Sequence, residues 1–307
     1  MTMVGRVQIL LPTYNGRRYL AELLSSLLTQ THPQCLVTIR DDDSTDNSYE
    51  LLSDWARGKS NVRLSRGDRL GPASSFFTLL HGADPDCEYF AFCDQDDVWL
   101  PEKIDNAVSM MKTADKTRPL LYCSRIAYVD SSLRRLRYSP LPKRICFSNA
   151  LVENVATGCT IVINQAAREL LADGNRIPSY VVMYDAWCYL AISALGDVIF
   201  DPRPTVLYRQ HQSNALGGTP SRSRLWCRRM RRLLRRPASL GYLAQAREFQ
   251  RCFGPLLCPG DTRILENFLA CGSDFGARAA YALRMEVRRQ TWSDNAVLRG
   301  LIVAGRI

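Results

Sequence analysis

The chain has 307 residues, 46% of them hydrophobic, which is enough for a globular protein with a large core. Its eleven cysteines include no C-x-x-C pair and no run of 18 or more apolar residues interrupts the sequence, which argues against a disulfide framework and a membrane-spanning helix and predicts reduced thiols in the cytoplasm. The formal net charge of +10 favours an anionic partner, such as a phosphorylated substrate, a nucleic acid or an anionic membrane face.

The first half of the chain alternates strand and helix signals. A short apolar run at 7–11 ends at Pro12, and Leu20, Leu23, Leu24, Leu27 and Leu28 follow at helical spacing. Further strands are predicted at 36–39, 62–64 and 89–93, with helices that open at 44–46, span 72–80 and start at Pro101. Repeated β-α units predict an α/β fold with a mostly parallel sheet flanked by helices.

Polar clusters follow three of these strands, at 13–16, 41–44 and 94–97. In parallel sheets, ligands bind beyond the carboxyl ends of the strands. One such cluster is also typical of an ordinary βα turn, but three at the same edge indicate a site. The sequence has no G-x-G-x-x-G motif and no Walker lysine, which argues against dinucleotide-binding and ATPase functions.

The cluster at 94–97 places three carboxylates directly after a buried strand. Carboxylates this close repel one another, and a divalent cation relieves that repulsion. Mg²⁺ or Mn²⁺ fits best, because these hard ions take one or two carboxylates and complete their shell with water and phosphate oxygens. The alternative is a solvated acidic turn in which Asp97 caps the next helix.

Several segments resemble one enzyme family. The sequences ILLPTYNG at 9–16, RDDDSTD at 40–46 and FCDQDDVW at 92–99 are similar, in order and spacing, to the N-terminal signatures of family 2 glycosyltransferases. The later segments TGCT at 157–160, YDAW at 184–187 and YRQHQSN at 208–214 are most similar to those of bacterial rhamnosyltransferases of surface-polysaccharide biosynthesis. The resemblance covers about residues 6–217.

The resemblance implies the GT-A fold, in which a Rossmann-like nucleotide-binding half merges with an acceptor-binding half. We therefore expect a GT-A domain at 1–218, with its nucleotide-binding part at about 1–115 and its acceptor-binding part at about 116–218. A basic helical extension would follow at 219–307.

The resemblance also implies roles for single residues that contact the donor. The predicted donor contacts are Pro12, Thr13, Tyr14, Asn15, Asp41, Asp42, Asp94, Gln95 and Arg209. Among them, Asp41 or Asp42 would accept a hydrogen bond from the pyrimidine ring, and Asp94 would address the ribose or the metal. Asp96 would bind the metal that bridges the diphosphate, and His211, near Arg209, would complete that site.

Three further residues are implied on the acceptor side. Asp185 would be the general base, although it could also serve as a helix N-cap. Gly158 and Trp187 would contact substrate, although Trp187 could also be a core residue. Asp43 departs from the family pattern, since relatives carry glycine there, and we expect aspartate to tolerate the left-handed backbone.

The segment 222–236 carries eight arginines and no acid. A basic amphipathic helix there, with Trp226 on its apolar face, would suit an anionic membrane surface. The alternative is a basic solvated face over the core. Nucleic acid is not expected, because interleaved aromatic residues are missing. The expected location is the cytoplasm, where this segment could attach to the inner face of the plasma membrane.

Together these features predict an inverting, metal-dependent glycosyltransferase. It would move a sugar, such as rhamnose or another deoxyhexose, from a UDP or dTDP donor to a glycan or polyprenyl-linked glycan. One base suffices for a single inversion, so the two-carboxylate pattern of glycoside hydrolases does not apply. The alternatives are a non-catalytic binding module with this fold and a nucleotidyltransferase.

Overall fold

The computed structural model describes residues 5–210 and 241–307. The chain divides into two compact units. The first comprises the described residues of Met1–Leu141, Ala156–Asp173 and Gly196–Gln210, and the second comprises those of Pro142–Val155, Gly174–Leu195 and His211–Ile307. The domain boundary predicted at 218 falls outside the described residues and stays a prediction.

Strands and helices alternate over residues 7–92 as predicted, and later strands also follow one another directly. Its elements up to residue 141 are β1 (Val7–Thr13), α1 (Arg17–Leu28), β2 (Cys35–Asp41), α2 (Ser48–Ala56), β3 (Val62–Arg66), α3 (Pro72–His81), β4 (Tyr89–Phe92), β5 (Val98–Trp99), α4 (Lys103–Met111), β6 (Leu120–Val129) and β7 (Arg135–Tyr138). The second helix begins at Ser48 rather than at 44–46, because Asn47 takes a left-handed conformation with φ 63°. Asp46 instead accepts a hydrogen bond from the Ser48 amide at 3.1 Å.

Later elements alternate between the two units along the chain. The first unit adds β8 (Val162–Asn164), α6 (Gln165–Leu171) and β9 (Asp197–Arg209), whereas the second contains α5 (Phe147–Ala150), α7 (Tyr184–Leu195), α8 (Tyr242–Phe253), α9 (Pro259–Ala270), α10 (Phe275–Arg284) and α11 (Trp292–Val303). Within the described residues, no helix is long and apolar enough to cross a bilayer.

The sheet of the first unit has nine strands. The order is β3-β2-β1-β4-β8-β6-β9-β5, and β7 pairs with β6 off this path. The ladders β3-β2-β1-β4 are parallel, whereas β8 pairs antiparallel with both β4 and β6. In the parallel ladder Thr13 lies opposite Asp41 and Leu10 opposite Phe92, so the loops after β1, β2 and β4 leave the sheet at the same edge.

Burial explains why this half of the sheet is parallel. In β1 the residues Val7, Ile9, Leu10 and Leu11 are all fully buried, as expected of a strand covered on both faces. One covering layer is α1, whose leucines at 20, 23, 24 and 27 are buried, whereas Leu28 is exposed.

The second unit is held by aromatic packing. The ring centroids of Trp187 and Phe253 lie 5.8 Å apart, and those of Phe249 and Phe253 lie 5.4 Å apart. The Tyr189 hydroxyl donates to Asn149 Oδ1 at 3.0 Å, which joins α7 to α5. The core of this unit therefore combines residues of 142–155 and 174–195 with the C-terminal helices.

Candidate active site

The loops after β1 and β4 are joined by the Gln95 carboxamide. Gln95 Oε1 accepts a hydrogen bond from the Tyr14 amide at 2.9 Å, and Gln95 Nε2 donates to the Tyr14 carbonyl at 3.0 Å. A Cβ at Gly16 would collide with the same carboxamide. Gly16 therefore keeps open the space that Gln95 needs to hold the Tyr14 backbone.

The loops after β1 and β2 are joined through Asn15. Its amide donates to Ser44 Oγ at 2.9 Å, and its Oδ1 accepts from the Thr45 amide at 2.8 Å. Asn15 has φ 49°, a left-handed conformation that asparagine adopts more easily than most residues. All three polar clusters predicted from the sequence are therefore bound into one assembly at one sheet edge.

Two buried carboxylates shape the β2 loop from inside. Asp41 accepts hydrogen bonds from Thr13 Oγ1 at 3.0 Å, the Ser44 amide at 2.9 Å and Ser44 Oγ at 2.6 Å. Asp42 pairs with Arg40 and accepts from Ser75 Oγ and from the Gly71 amide, the latter at 3.1 Å. These carboxylates organise the walls of the site, and the pyrimidine contact implied for one of them stays a prediction.

Asp43 and Arg69 lie in or near the β2 loop, on the side of the predicted donor contacts. Asp43 has φ 61°, which confirms the left-handed geometry expected where relatives carry glycine. The guanidinium of exposed Arg69 lies 4.2 Å from the centroid of the Tyr14 ring. Sequence reasoning did not single out Arg69, because nothing in its local pattern distinguishes it from other surface arginines.

Asp97 is the buried carboxylate of the β4 loop, whereas Asp94 and Asp96 are partly exposed. It is 1% exposed, and its Oδ1 accepts the Arg209 amide hydrogen at 3.0 Å. Burial, with added repulsion from Asp96 and Asp94, raises the pKa of Asp97 well above its usual range. Its Oδ2 has no hydrogen-bond partner of normal geometry among the described residues, although the Cys159 thiol lies beside it.

These groups fit a divalent cation. Ligand atoms of Asp94, Asp97 and Cys159 all lie within 4.8 Å of one another. Cys159 belongs to the 3-10 turn Gly158–Thr160, and burial raises the pKa of its thiol well above the ordinary value. The oxygen donors of the group are the carboxyl groups of Asp94 and Asp97. Oxygen donors of this kind suit Mg²⁺ or Mn²⁺. Cys159 was quoted in a motif above without a role, and its distance in sequence from the β4 loop concealed this proximity.

Arg209 anchors the β4 loop through buried hydrogen bonds. Its side chain is 0% exposed, and its Nε donates to the Asp96 carbonyl at 2.9 Å. Nη1 donates to the Ser131 carbonyl at 2.8 Å, and Nη2 pairs with Glu22 at 2.6 Å. The sequence implied that Arg209 contacts the diphosphate, but a fully buried guanidinium with these partners positions the carboxylate loop instead. Sequence reasoning missed Glu22, since an acid on the exposed side of α1 gives no signal of a partner on β9.

The residues implied on the acceptor side lie in different units. Gly158 is buried and opens the turn that carries Cys159 in the first unit. Asp185 lies in the first turn of α7 in the second unit, is 5% exposed, and accepts the Ala186 amide hydrogen at 2.7 Å. Trp187 is 0% exposed and packs against Phe249 and Phe253, so the structure gives it a core role and no free ring face for a sugar.

Pro12 and Thr13 close β1, and Thr13 faces Asp41. His211 and the basic segment 222–236 lie outside the described residues, so their predicted roles stay predictions.

Comparisons with known proteins all identify glycosyltransferases as similar to this chain. A family model described as "Glycosyl transferase family 2" matches residues 8–171. The dTDP-rhamnosyl transferase RfbG of Shigella flexneri is 27% identical over 219 residues, which cover 68% of this chain and 74% of that protein.

Two solved structures share the fold. The S. aureus TarS fragment 1-349 in complex with UDP-GlcNAc has a TM-score of 0.58 at 16% identity, covering 98% of this chain and 88% of that one. The mannosyltransferase PcManGT from Pyrobaculum calidifontis, in complex with GDP-Man and Mn²⁺, has a TM-score of 0.56 at 20% identity, covering 99% and 81%. At these identities the likeness extends to the fold alone, and it confirms the GT-A architecture expected from the sequence.

Proposed function

The chain belongs to glycosyl transferase family 2, and from that premise we propose that it transfers a deoxyhexose such as rhamnose from a nucleoside diphosphate to a glycan acceptor with inversion. It is a glycosyltransferase related to enzymes of polysaccharide biosynthesis. The observation that carries the specific proposal is the locked assembly of three loops around the Asp94–Asp97 carboxylates. Family membership favours this enzyme over the binding module and the nucleotidyltransferase considered from the sequence.

The proposed donor is dTDP-rhamnose or a related pyrimidine nucleotide sugar. Support comes from the similarity to a dTDP-rhamnosyl transferase and from the residues at the mouth of β1. Thr13 and Tyr14 are held there by Asp41 and Gln95, and Arg69 adds a positive charge beside the Tyr14 ring. A fixed aromatic ring and a cation next to it suit a planar base joined to a diphosphate.

A divalent cation would be held by the β4 loop, by Asp96 together with Asp94 or Asp97, and His211 would add a ligand as the family pattern implies. Bound there, the cation would neutralise the charge that develops on the departing nucleoside diphosphate. Arg209 holds the Asp96 carbonyl and Asp97, and thereby keeps the carboxylates at this edge of the sheet. The carboxylates cannot be drawn apart without breaking these buried hydrogen bonds.

Asp185 is proposed as the base that accepts the proton of the attacking acceptor hydroxyl. It lies in the first turn of α7, where the partial positive charge of the helix terminus stabilises a carboxylate. One carboxylate is sufficient for direct displacement at the anomeric carbon. The acceptor is proposed to be a glycan or a polyprenyl-linked glycan, and attachment at the inner face of the plasma membrane through 222–236 is part of the same proposal.

A panel of nucleotide sugars tests this function. Purified protein is incubated with UDP- and dTDP-sugars, a lipid-linked glycan acceptor, and either Mn²⁺ or a chelator, and release of nucleoside diphosphate is measured. We expect release from dTDP-rhamnose with Mn²⁺, little release with chelator, and an inverted anomeric centre by NMR. Asp54→Asn, at a surface aspartate with a 70% exposed side chain, is the matched control for Asp94→Asn. Release without metal, or a retained anomeric centre, would contradict the proposal.

A further inference from the structure

The C-terminal helices of the second unit line an open cavity of about 250 Å³. Arg247 of α8 and Arg278 of α10 line it, together with Cys271 and Gly272 after α9 and Gly305 and Ile307 after α11. Leu243 of α8 completes the wall. The family match ends at residue 171, so this cavity belongs to a part of the chain on which that match gives no information.

Among the described residues, no acidic side chain forms an ion pair with either arginine of this cavity. None of the lining side chains is acidic, although Asp274 at the start of α10 is close enough for Arg278 to help lower the pKa of its carboxyl. No hydrogen bond or ion pair joins the Arg247 guanidinium to another described residue. Arg278 donates from Nε to the Val303 carbonyl at 3.3 Å, and its two Nη groups have no such partner among the described residues. By contrast, Arg251 in the same unit pairs with Glu248 at 2.6 Å. Two neighbouring guanidinium groups whose Nη donors form no ion pair with a described residue form a favourable place for an anion.

Cys271 does not cancel this positive charge. The thiol is 1% exposed, and burial raises its pKa to about 11 although both Arg247 and Arg278 act to lower it. The thiol is therefore neutral near pH 7. That both guanidinium groups act on one sulfur also indicates that they converge on the same region of the cavity.

Two glycines preserve the space beside the guanidinium groups. A Cβ at Gly272 would lie 3.2 Å from Arg247 Nη2 and 3.0 Å from Leu243 Cδ1. A Cβ at Gly305 would lie 3.4 Å from Arg278 Cζ, and Gly305 has φ +64°, a conformation that favours glycine. Larger residues at either position would press on the groups that could hold an anion.

We propose that this cavity binds a phosphate ester, with the phosphoryl group held between Arg247 and Arg278 and the adjoining carbon chain against Leu243 and Ile307. Guanidinium forks match phosphate oxygens in pairs. The apolar wall favours an ester over a bare ion. The volume is below the range of about 300–1,000 Å³ that is usual for drug-sized ligands, so the site takes a small ester or a lipid headgroup rather than a nucleotide sugar.

Titration of the full chain with two probes tests the proposal. Calorimetry with glycerol 3-phosphate examines a soluble ester, and co-sedimentation with phosphatidylglycerol vesicles, compared with phosphatidylcholine vesicles, examines a headgroup. The variant is Arg247→Gln/Arg278→Gln, and the control is Arg284→Gln, which removes an exposed arginine from the same helix as Arg278 but outside the cavity lining. We expect the double variant to bind at least about tenfold more weakly while the control binds as the parent does.

The two probes separate the sources of the phosphate. Loss of glycerol 3-phosphate binding in the double variant supports a soluble ester, and loss of vesicle binding alone supports a lipid headgroup. Arg247→Gln, at an exposed position with no hydrogen-bond or ion-pair partner among the described residues, provides the same comparison should the double variant melt early. If neither probe binds the parent chain, or if the variants bind both as tightly as the control, the proposal is overturned. Sugar transfer is not measured, so this outcome is independent of the proposed function.

Discussion

The carboxylate edge of the first unit and the arginine cavity of the second unit hold charge in opposite ways. At the edge, Asp41, Asp42 and Arg209 are buried and satisfied by protein groups, and they fix the loops around Asp94–Asp97. In the cavity, neither the Arg247 guanidinium nor the Nη groups of Arg278 form a hydrogen bond or ion pair with another described residue. The edge resembles a rigid frame around the Asp94–Asp97 carboxylates, whereas the cavity leaves its guanidinium groups for a ligand.

The difference predicts different responses to substitution. Changes at the edge should alter donor binding and stability together, because the same contacts serve both. Substitution of Asp185 in the second unit should lower the rate of transfer, and substitution in the arginine cavity should weaken binding of the phosphate ester. Neither should change the affinity for the donor.

The largest expected effect separates catalysis from donor binding. Asp185→Asn keeps the shape of the side chain but removes the basic carboxylate, so transfer should fall by about 10²-fold or more. Donor affinity should stay unchanged, because the proposed donor contacts are in the first unit. Steady-state transfer rates and calorimetric donor affinity are compared with a thermal melt. Asparagine can accept the Ala186 amide hydrogen as aspartate does, so near-normal transfer would limit Asp185 to that structural role at the start of α7.

The second effect concerns the frame itself. Arg209→Lys keeps the charge but cannot reach the Asp96 carbonyl, the Ser131 carbonyl and Glu22 together, so the free energy of unfolding should fall by about 2 kcal/mol. Weaker metal-dependent donor binding should accompany the loss. The control Arg118→Lys alters an ion pair with Asp197 in which both side chains are about half exposed, and should cost well under about 1 kcal/mol. Equal denaturation midpoints for the two variants would show that the Arg209 contacts are not needed to hold the loops around Asp94–Asp97.

Gly16→Ala is expected to have a smaller effect on stability. A Cβ there would displace the Gln95 carboxamide and break its two hydrogen bonds to Tyr14, at a cost of about 1–2 kcal/mol. Donor affinity should fall as well, since Tyr14 loses its fixed position. Gly82→Ala is a fair comparison, because a Cβ there makes only ordinary contact at 3.5 Å. Chemical denaturation and donor calorimetry of both variants distinguish the loss of this clamp from a general effect of replacing glycine by alanine.

The sequence predicted the edge better than the cavity for a physical reason. Each predicted β-α unit has its own local periodicity, and each polar cluster directly follows a strand, so β1, β2 and β4 could be recognised one at a time. The pairing of β8 with β4, which brings the turn of Cys159 to Asp97, depends on contacts about 70 residues apart and leaves no local pattern.

Glu22 and Trp187 show the same limit on single residues. Glu22 lies on a helix face whose sequence pattern predicts exposure to solvent, and its partner Arg209 is 187 residues away along the chain. Trp187 was a candidate for sugar stacking because a motif contains it, whereas its burial is set by Phe249 and Phe253 in α8. The cavity residues 243–307 carry no motif, and only the folded helices bring Arg247 and Arg278 together.

The most direct test of the central claim is calorimetry of nucleoside diphosphate binding with and without Mn²⁺. For the parent chain and for Asp54→Ala, whose side chain is 70% exposed, we predict tight binding with the metal and much weaker binding without it. For Asp96→Ala, which should stay folded because its side chain is only half-buried at the sheet edge, we predict loss of the metal-dependent part alone. Nucleotide affinity that is the same with and without metal in the parent chain would contradict the account.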